Sequence, residues 1–219
     1  ILSGANPGVL DSMGRDALNL ALAGGHEAAA EFLLGAVVQV NRQTRAGKTY
    51  LMMAIEGGAS TLVARLISRG ARVDIVDEEG RSALFYAVRQ CDETSIVKLL
   101  SVDRDVDRID SQAYSAFHVA AGKGCVAGVN ALLLAGAEIN GLTVAGNTPL
   151  LLSLRSGHTD IARILIDHHA DVSIQNKKGD TAIHYAVALG SEELLVQLLG
   201  EGSDPYRRNE LGESAYSIA

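Results

Sequence analysis

The 219-residue sequence contains no tryptophan, and phenylalanine and tyrosine bring the aromatic share to only 4%. Hydrophobic residues nevertheless make up 47%, so the apolar content comes from small and aliphatic side chains. A chain of this length and apolar share can bury a substantial core, which argues against intrinsic disorder. The scarcity of aromatic rings also disfavours a surface that binds single-stranded nucleic acid by stacking.

The sequence also lacks long hydrophobic runs and an excess of positive charge. Its longest stretch without a charged residue, Ile139 to Leu154, is interrupted by asparagine, glycine and proline, so no membrane-spanning helix is predicted. Lysine and arginine number 19 against 26 aspartates and glutamates, and the net charge of −7 has the wrong sign for covering a phosphate backbone. Nucleic acid and lipid are therefore disfavoured as partners. Two cysteines and no glycosylation sequon indicate a reducing compartment, which we expect to be the cytoplasm, with the nucleus as the alternative.

Glycine, by contrast, is plentiful and regularly spaced. One lattice of 33 residues contains Ala113 and six glycines, namely Gly14, Gly47, Gly80, Gly146, Gly179 and Gly212. Two residues after every lattice position stands a side chain that can accept a hydrogen bond at a helix start: Asp16, Thr49, Ser82, Ser115, Thr148, Thr181 and Ser214. The spacing predicts an array of repeats, each opening with a capped helix.

A second lattice predicts where each first helix ends. It consists of Gly25, Gly58, Cys91, Gly124, Gly157 and Gly190, and each member is followed by a segment that carries a pair of aliphatic residues such as Leu132-Leu133. A unit is therefore a first helix, a tight turn, an antiparallel second helix and a finger-like connection of about ten residues, stable only when stacked on its neighbours. The third unit has Cys91 and Asp103 where glycines are expected, and we expect left-handed turns or a different bend there.

These motifs resemble the ankyrin repeat. The family pattern Gly-x-Thr-Pro-Leu-His-x-Ala is clearest over residues 179–186, and the tail pattern Leu-Leu-x-x-Gly-Ala-Asp-Val-Asn over residues 132–140, which read LLLAGAEIN. The resemblance covers the chain and implies an all-α solenoid of stacked helix-turn-helix units joined by β-hairpin-like fingers. By register the array comprises the end of a preceding repeat (1–8), six full repeats (9–41, 42–74, 75–107, 108–140, 141–173 and 174–206) and the start of a further one (207–219). We therefore expect a fragment of a longer protein.

No catalytic, cofactor-binding or metal-binding residues emerge once the repeat positions are subtracted. His118 and His184 occupy the position where, in the family, the ring ties adjacent loops, and the histidines at 168–169 lack the further ligands of a zinc site. Cys91 and Cys125 fall in equivalent turns of neighbouring repeats, and stacking at roughly 8–10 Å predicts free thiols. We expect no enzyme, no cofactor and no metal.

The resemblance implies a protein–protein interaction module or scaffold, because ankyrin partners generally bind the concave surface formed by finger tips and first helices. In this register the candidate contact residues are Arg45, Lys48, Glu78, Glu79, Arg81, Arg89, Gln112, Tyr114, Lys123, Asn147, Arg155, Lys177 and Asp180. Among them, Arg89, Lys123 and Arg155 come from successive repeats and would form a basic track about 20 Å long at ~10 Å per repeat. Together with Tyr114, this track would suit an acidic protein or peptide bound by a monomeric array.

Two alternatives stay open at this stage. The segment could regulate a larger enzyme or channel by binding in cis, which catalytic or membrane-spanning motifs in the flanking sequence would reveal. The charges of the candidate surface could also be a solvated face that serves solubility, because most exposed charges contribute little.

Overall fold

The computed structural model describes residues 6–36 and 39–219, which form two compact units with the boundary between Asp110 and Ser111. The described helices of the first unit are α1 (Ala17–Ala23), α2 (Glu27–Leu34), α3 (Tyr50–Glu56), α4 (Ser60–Ser68), α5 (Ala83–Gln90) and α6 (Glu93–Val102). Those of the second unit are α7 (Ala116–Lys123), α8 (Val126–Leu134), α9 (Pro149–Arg155), α10 (Thr159–Asp167), α11 (Ala182–Ala188), α12 (Glu192–Gly200) and α13 (Ala215–Ile218). The segment 1–8 is predicted to end a preceding repeat, and its residues 1–5 lie outside the described part.

Every predicted helix start is confirmed. All seven N-cap residues directly precede a first helix, and the side chains of five of them accept a hydrogen bond from the backbone N–H three residues on: Asp16, Thr49, Ser115, Thr148 and Ser214. Ser82 makes no such bond and is held instead by an antiparallel bridge to Val76. These caps satisfy N–H groups that a helix start leaves without a partner.

The irregular third unit contains both a left-handed turn and a different bend, the two conformations that its sequence predicts. Cys91 adopts the left-handed conformation with φ 52°, as Ala113 and His169 do at other turn positions (φ 57° and 62°). Asp103 is extended instead (φ −128°), and it ends the ten-residue helix α6. A left-handed residue with a Cβ costs roughly 1–2 kcal/mol, which the packing on either side must offset.

The fingers are short hairpins tied to one another through their backbones. Within the described residues they contain isolated antiparallel bridges rather than strands, for example between Gln43 and Thr49. Inside each unit one finger tip donates to the preceding one, as in Glu78 N to Ala46 O (3.2 Å) and Lys177 N to Ala145 O (3.0 Å). This regular ladder holds the finger side chains in register.

Two histidines add a second tie between repeats, in agreement with the family resemblance. The Nε2 of His118 lies 2.9 Å from the carbonyl oxygen of Gly141, and its Nδ1 lies 2.9 Å from the Ser115 hydroxyl. His184 bridges Thr181 and the carbonyl oxygen of Glu213 in the same way.

The core of each unit lies between first helices that pack on first helices. All residues from Tyr50 to Ile55 in α3 and from Pro149 to Leu154 in α9 are buried. Second helices bury only one stripe, such as Leu62, Val63 and Leu66 of α4. Burying one such aliphatic side chain fully is worth about 1.5–3 kcal/mol, so stacking on neighbours supplies the stability that one repeat lacks.

One buried hydroxyl breaks this pattern. In the described part of the chain the Oγ of Ser203 has no hydrogen-bond partner, although the residue is only 6% exposed. The same register position carries buried alanines at 71, 137 and 170, and the backbone N–H makes the same bond in all four, such as Ser203 N to Leu198 O (2.9 Å). The serine therefore sits in a site shaped for alanine.

Ser203→Ala is expected to raise the free energy of unfolding by about 1 kcal/mol, because it removes an unsatisfied buried hydroxyl. Urea unfolding followed by circular dichroism measures the change. The reverse substitution at the matched position, Ala170→Ser, is expected to destabilise by a similar amount. A lower unfolding midpoint for Ser203→Ala would contradict this account.

The prediction of free thiols is wrong. The structure contains no free cysteine among the described residues, and both Cys91 and Cys125 are in the disulfide form. The prediction used the distance between helix axes, which does not limit how closely side chains in the turns at helix ends can approach.

Candidate partner-binding surface

In the first unit, two of the residues predicted to contact a partner, Lys48 and Arg81, flank the ring of Tyr86 in α5. Lys48 Nζ lies 5.1 Å and Arg81 Cζ 5.5 Å from the centroid of its ring, both within the range of a cation–π interaction. The phenol donates a hydrogen bond to Asp77 Oδ2 (2.6 Å). Burial of the ring, and then the hydrogen bond to the Asp77 carboxylate, raise the pKa of Tyr86.

The cations around this ring already have carboxylate partners. Lys48 Nζ lies 2.6 Å from Glu56 Oε2, while Arg81 contacts Asp77 Oδ2 at 2.9 Å and Glu79 Oε2 at 2.7 Å. Three predicted contact residues, Lys48, Glu79 and Arg81, are therefore engaged in ion pairs. Both cations of this part of the surface are therefore engaged by acids of the same unit.

The other three candidates of the first unit point outward. Arg45, Glu78 and Arg89 are exposed and form no ion pair among the described residues. Arg45 and Glu78 lie at finger tips, whereas Arg89 lies in the last turn of α5.

In the second unit, the finger tips and first helices line an open groove with a volume of about 440 Å³. It brings together five of the predicted contact residues: Gln112, Tyr114, Asn147, Arg155 and Lys177. Lys178 and Tyr185 also line it, together with the exposed apolar finger residues Val144 and Ala145. The ring of Tyr114 packs edge-on against His118, with the centroids 5.9 Å apart.

The floor of the groove is a buried chain of amides. Asn176 Nδ2 lies 3.1 Å from Asn147 Oδ1 and 3.0 Å from the hydroxyl of Tyr185. Asn147 is only 3% exposed, so this candidate contact residue supports the floor beneath the surface. Burial and then the nearby charge of Asp180 raise the pKa of Tyr185. Asp180, another candidate, accepts a hydrogen bond from Asn209 Nδ2 (3.0 Å), which ties it to the next finger.

The three cations of the predicted basic track share one local setting. Arg89, Lys123 and Arg155 are exposed and lie in the last turns of α5, α7 and α9. In the described part of the chain none of them forms an ion pair with a carboxylate. A cation at this end of a helix also interacts favourably with the helix dipole, by about 0.3–1 kcal/mol, which is a structural reason for its presence there.

Sequence reasoning missed the residues that shape each finger. A side-chain oxygen three residues before a lattice glycine accepts backbone N–H bonds from inside the finger, as when Asp77 Oδ1 accepts from Glu79 and Arg81 at 2.9 Å each. Asp11, Asn176 and Asn209 do the same in their own fingers, and Thr44 and Thr143 make one such bond. The signal was available, because Asp, Asn or Thr recurs at this position with the 33-residue period.

Among residues 6–36 and 39–219 no group of three or more His, Cys, Asp or Glu side chains is arranged to hold a metal ion. None of the helices in the described ranges has both the length and the hydrophobicity that crossing a membrane requires.

The chain matches a known protein family along most of its length. A family model described as ankyrin repeats (3 copies) matches residues 1–77, 51–143 and 117–209. The chain belongs to the ankyrin repeat family. The ankyrin repeat domain of human ASB11, known from a crystal structure, superposes with a TM-score of 0.83 at 26% identity and covers 94% of this chain and 92% of that one.

Curated ankyrin repeat relatives match over shorter stretches. The B-cell lymphoma 3 protein homolog of Mus musculus is 29% identical over 103 residues, which are 47% of this chain and 23% of that protein. The E3 ubiquitin-protein ligase mind-bomb of Drosophila melanogaster is 40% identical over 55 residues, 25% of this chain and 4% of the ligase. The matched stretches thus span less than a quarter of either relative. Ankyrin repeats are generally protein–protein interaction modules, and the fold is typically non-catalytic.

Proposed function

We propose that this chain is a protein–protein interaction module or scaffold that binds a partner protein or peptide on the concave face formed by its finger tips and first helices. The groove of the second unit is the observation that carries this proposal. It unites finger and first-helix residues, rests on a floor of hydrogen-bonded amides, and presents cations with no carboxylate partner in the described residues. The finger ladder holds these side chains in fixed positions before a partner arrives, which lowers the entropic cost of binding.

The partner is proposed to be acidic. Within residues 6–36 and 39–219, none of Arg89, Lys123 and Arg155 forms an ion pair, so an acidic segment would gain attraction at each of them. Such attraction is screened by salt, since the Debye length falls from about 10 Å at 0.1 M to about 3 Å at 1 M.

Affinity purification with this chain, read by mass spectrometry, identifies the partner, and isothermal titration calorimetry then measures the affinity. The triple variant Arg89→Glu, Lys123→Glu and Arg155→Glu is expected to bind at least tenfold more weakly, with a flatter salt dependence.

A matched control separates local charge from net charge. The triple variant Lys98→Glu, Arg104→Glu and Arg207→Glu makes the same change of charge at exposed positions outside the candidate surface, and it is expected to bind like the wild type. Unchanged affinity for the Arg89, Lys123 and Arg155 variant would remove this track from the proposed binding surface.

The alternative function is regulation in cis within a larger protein. One observation favours it, namely that the mind-bomb relative is a ubiquitin ligase that carries a matching ankyrin stretch as a small part of its length. Under this alternative, the purified chain would bind another segment of its own full-length protein and change the activity of that protein. Capture of a separate protein alone would favour the scaffold.

A further inference from the structure

The groove of the second unit differs from its counterpart in the first unit by an inversion of charge. Residues that are 99 positions apart, which is three periods of 33, occupy equivalent positions in their repeats. Tyr86 of the first unit and Tyr185 of the second are one such pair. Around these tyrosines, three cations of the second unit replace three acids of the first. The pairs are Arg155 and Glu56, Lys177 and Glu78, and Lys178 and Glu79.

The two cations that pair with acids in the first unit are also replaced. Lys48, which pairs with Glu56, corresponds to the buried Asn147, and Arg81, which pairs with Glu79, corresponds to Asp180. The five pairs named above and the pair of Asp77 and Asn176 make six equivalent positions. At these positions the first unit has two cations and four carboxylates, a net charge of −2. The second unit has three cations against one carboxylate, a net charge of +2. Its one carboxylate is already held by Asn209.

The three cations of the groove are exposed to solvent and are not paired with a carboxylate of the second unit. Arg155, Lys177 and Lys178 form no ion pair within the second unit, and all three line the same groove. Apolar surface lies beside them, because Val144 is exposed at its finger tip and the ring of Tyr185 is only partly buried. Clustered cations next to apolar and aromatic surface suit a chain segment that carries both acidic and apolar side chains.

We propose that this groove binds an extended acidic segment of a partner protein, with carboxylates of the segment at Arg155, Lys177 and Lys178 and its apolar side chains against Val144 and the rings of Tyr114 and Tyr185. The inference rests on the proposed function and makes it specific. The position that binds the carboxylates lies between the finger tips and the helix ends of the second unit. Lys177 and Lys178 determine its specificity for acidic segments.

The test uses a phage-displayed library of random peptides, about twelve residues long, selected on the immobilised 219-residue chain. Selected peptides are expected to be enriched in aspartate and glutamate. One of them, labelled with fluorescein, is then titrated by fluorescence anisotropy. The double variant Lys177→Glu and Lys178→Glu is expected to bind it at least tenfold more weakly. The variant is compatible with folding, because glutamates occupy the same register at 78 and 79, and circular dichroism verifies this.

Two controls give the result a specific meaning. Lys98→Glu with Arg104→Glu changes the net charge equally at exposed positions outside the groove and is expected to leave the peptide affinity unchanged. A charge-swapped peptide, with each Asp and Glu replaced by Lys, is expected to bind the double groove variant better than the wild type. This restoration would not occur if the variant had merely distorted the groove.

The failure of this inference and that of the proposed function can be told apart. Selection of neutral or basic peptides, or unchanged binding of acidic peptides by the groove variant, would overturn the acidic-segment inference and leave a binding module. Equal binding and competition by a random single-stranded oligonucleotide would overturn it in favour of phosphate recognition. If no peptide is selected, the inference is also overturned, whereas a failure of affinity purification to yield any partner contradicts the proposed function itself.

Discussion

Gly57→Ala is expected to destabilise the protein by about 3 kcal/mol, whereas Gly58→Ala, one residue later, is expected to cost about 1 kcal/mol. Gly57 ends α3 with an ordinary right-handed backbone (φ −83°), so alanine meets no conformational penalty there. A Cβ at this position would, however, overlap the carbonyl oxygen of Leu22 in α1. That carbonyl accepts a hydrogen bond from Gly25 N (3.1 Å), and a backbone atom cannot rotate away as a side chain would.

Gly58 presents the opposite case. Its φ of +74° is left-handed, but a Cβ there would meet no atom within 4 Å. The cost of alanine is therefore that of the backbone conformation alone, and Cys91 accepts the same conformation at the equivalent position of the next repeat.

Urea unfolding of the two variants separates the two effects. The sequence pattern alone predicts the reverse order, because Gly58 belongs to a glycine lattice while the position of Gly57 carries glutamine, lysine, serine or leucine in later repeats. A larger loss of stability for Gly58→Ala than for Gly57→Ala would show that α1 yields to the extra methyl group.

The repeat architecture could be predicted from the sequence because it depends on local rules. An N-cap needs an oxygen two residues after the lattice glycine, and a helix end needs a residue that tolerates positive φ. Both rules place the helices, and they also anticipated the left-handed Cys91 and the different bend at Asp103. These features need no knowledge of what packs against them.

What could not be predicted depends on neighbours across the stack. The register places Asn147 on the candidate surface, but its side chain is buried and accepts a hydrogen bond from the amide of Asn176. The register likewise says nothing about the pairing of Lys48 with Glu56, because the two residues come from a finger and from a helix end.

Asp77→Ala is expected to destabilise the protein by about 3 kcal/mol, because it removes an acceptor on which four donors depend. The carboxylate accepts from the backbone N–H groups of Glu79 and Arg81, from Arg81 Nε (2.9 Å) and from the hydroxyl of Tyr86 (2.6 Å). The side chain is 1% exposed, so water cannot readily replace it.

Asp77→Asn is expected to cost only about 1 kcal/mol, because an amide oxygen can keep the two backbone bonds. Asn176 occupies the same register and makes them in its own finger, to the N–H groups of Lys178 and Asp180. The asparagine variant thus isolates the effect of the carboxylate charge on Arg81 and Tyr86.

The difference in stability between the wild type and Asp77→Asn is expected to depend on pH, and the pKa of Asp77 fixes the sign of that dependence. Burial alone would raise this pKa, but hydrogen bonds from Tyr86 and Arg81 outweigh burial and hold it below its ordinary value of 3.8. A carboxyl group with a lowered pKa in the folded state stabilises fully above its unfolded pKa and loses that contribution as the pH falls through the folded value. The wild type should therefore exceed Asp77→Asn in stability at pH 7, and urea unfolding should show the gap narrowing below about pH 4. A gap that stays constant down to pH 3 would mean that the charge of Asp77 contributes nothing to holding Arg81 and Tyr86.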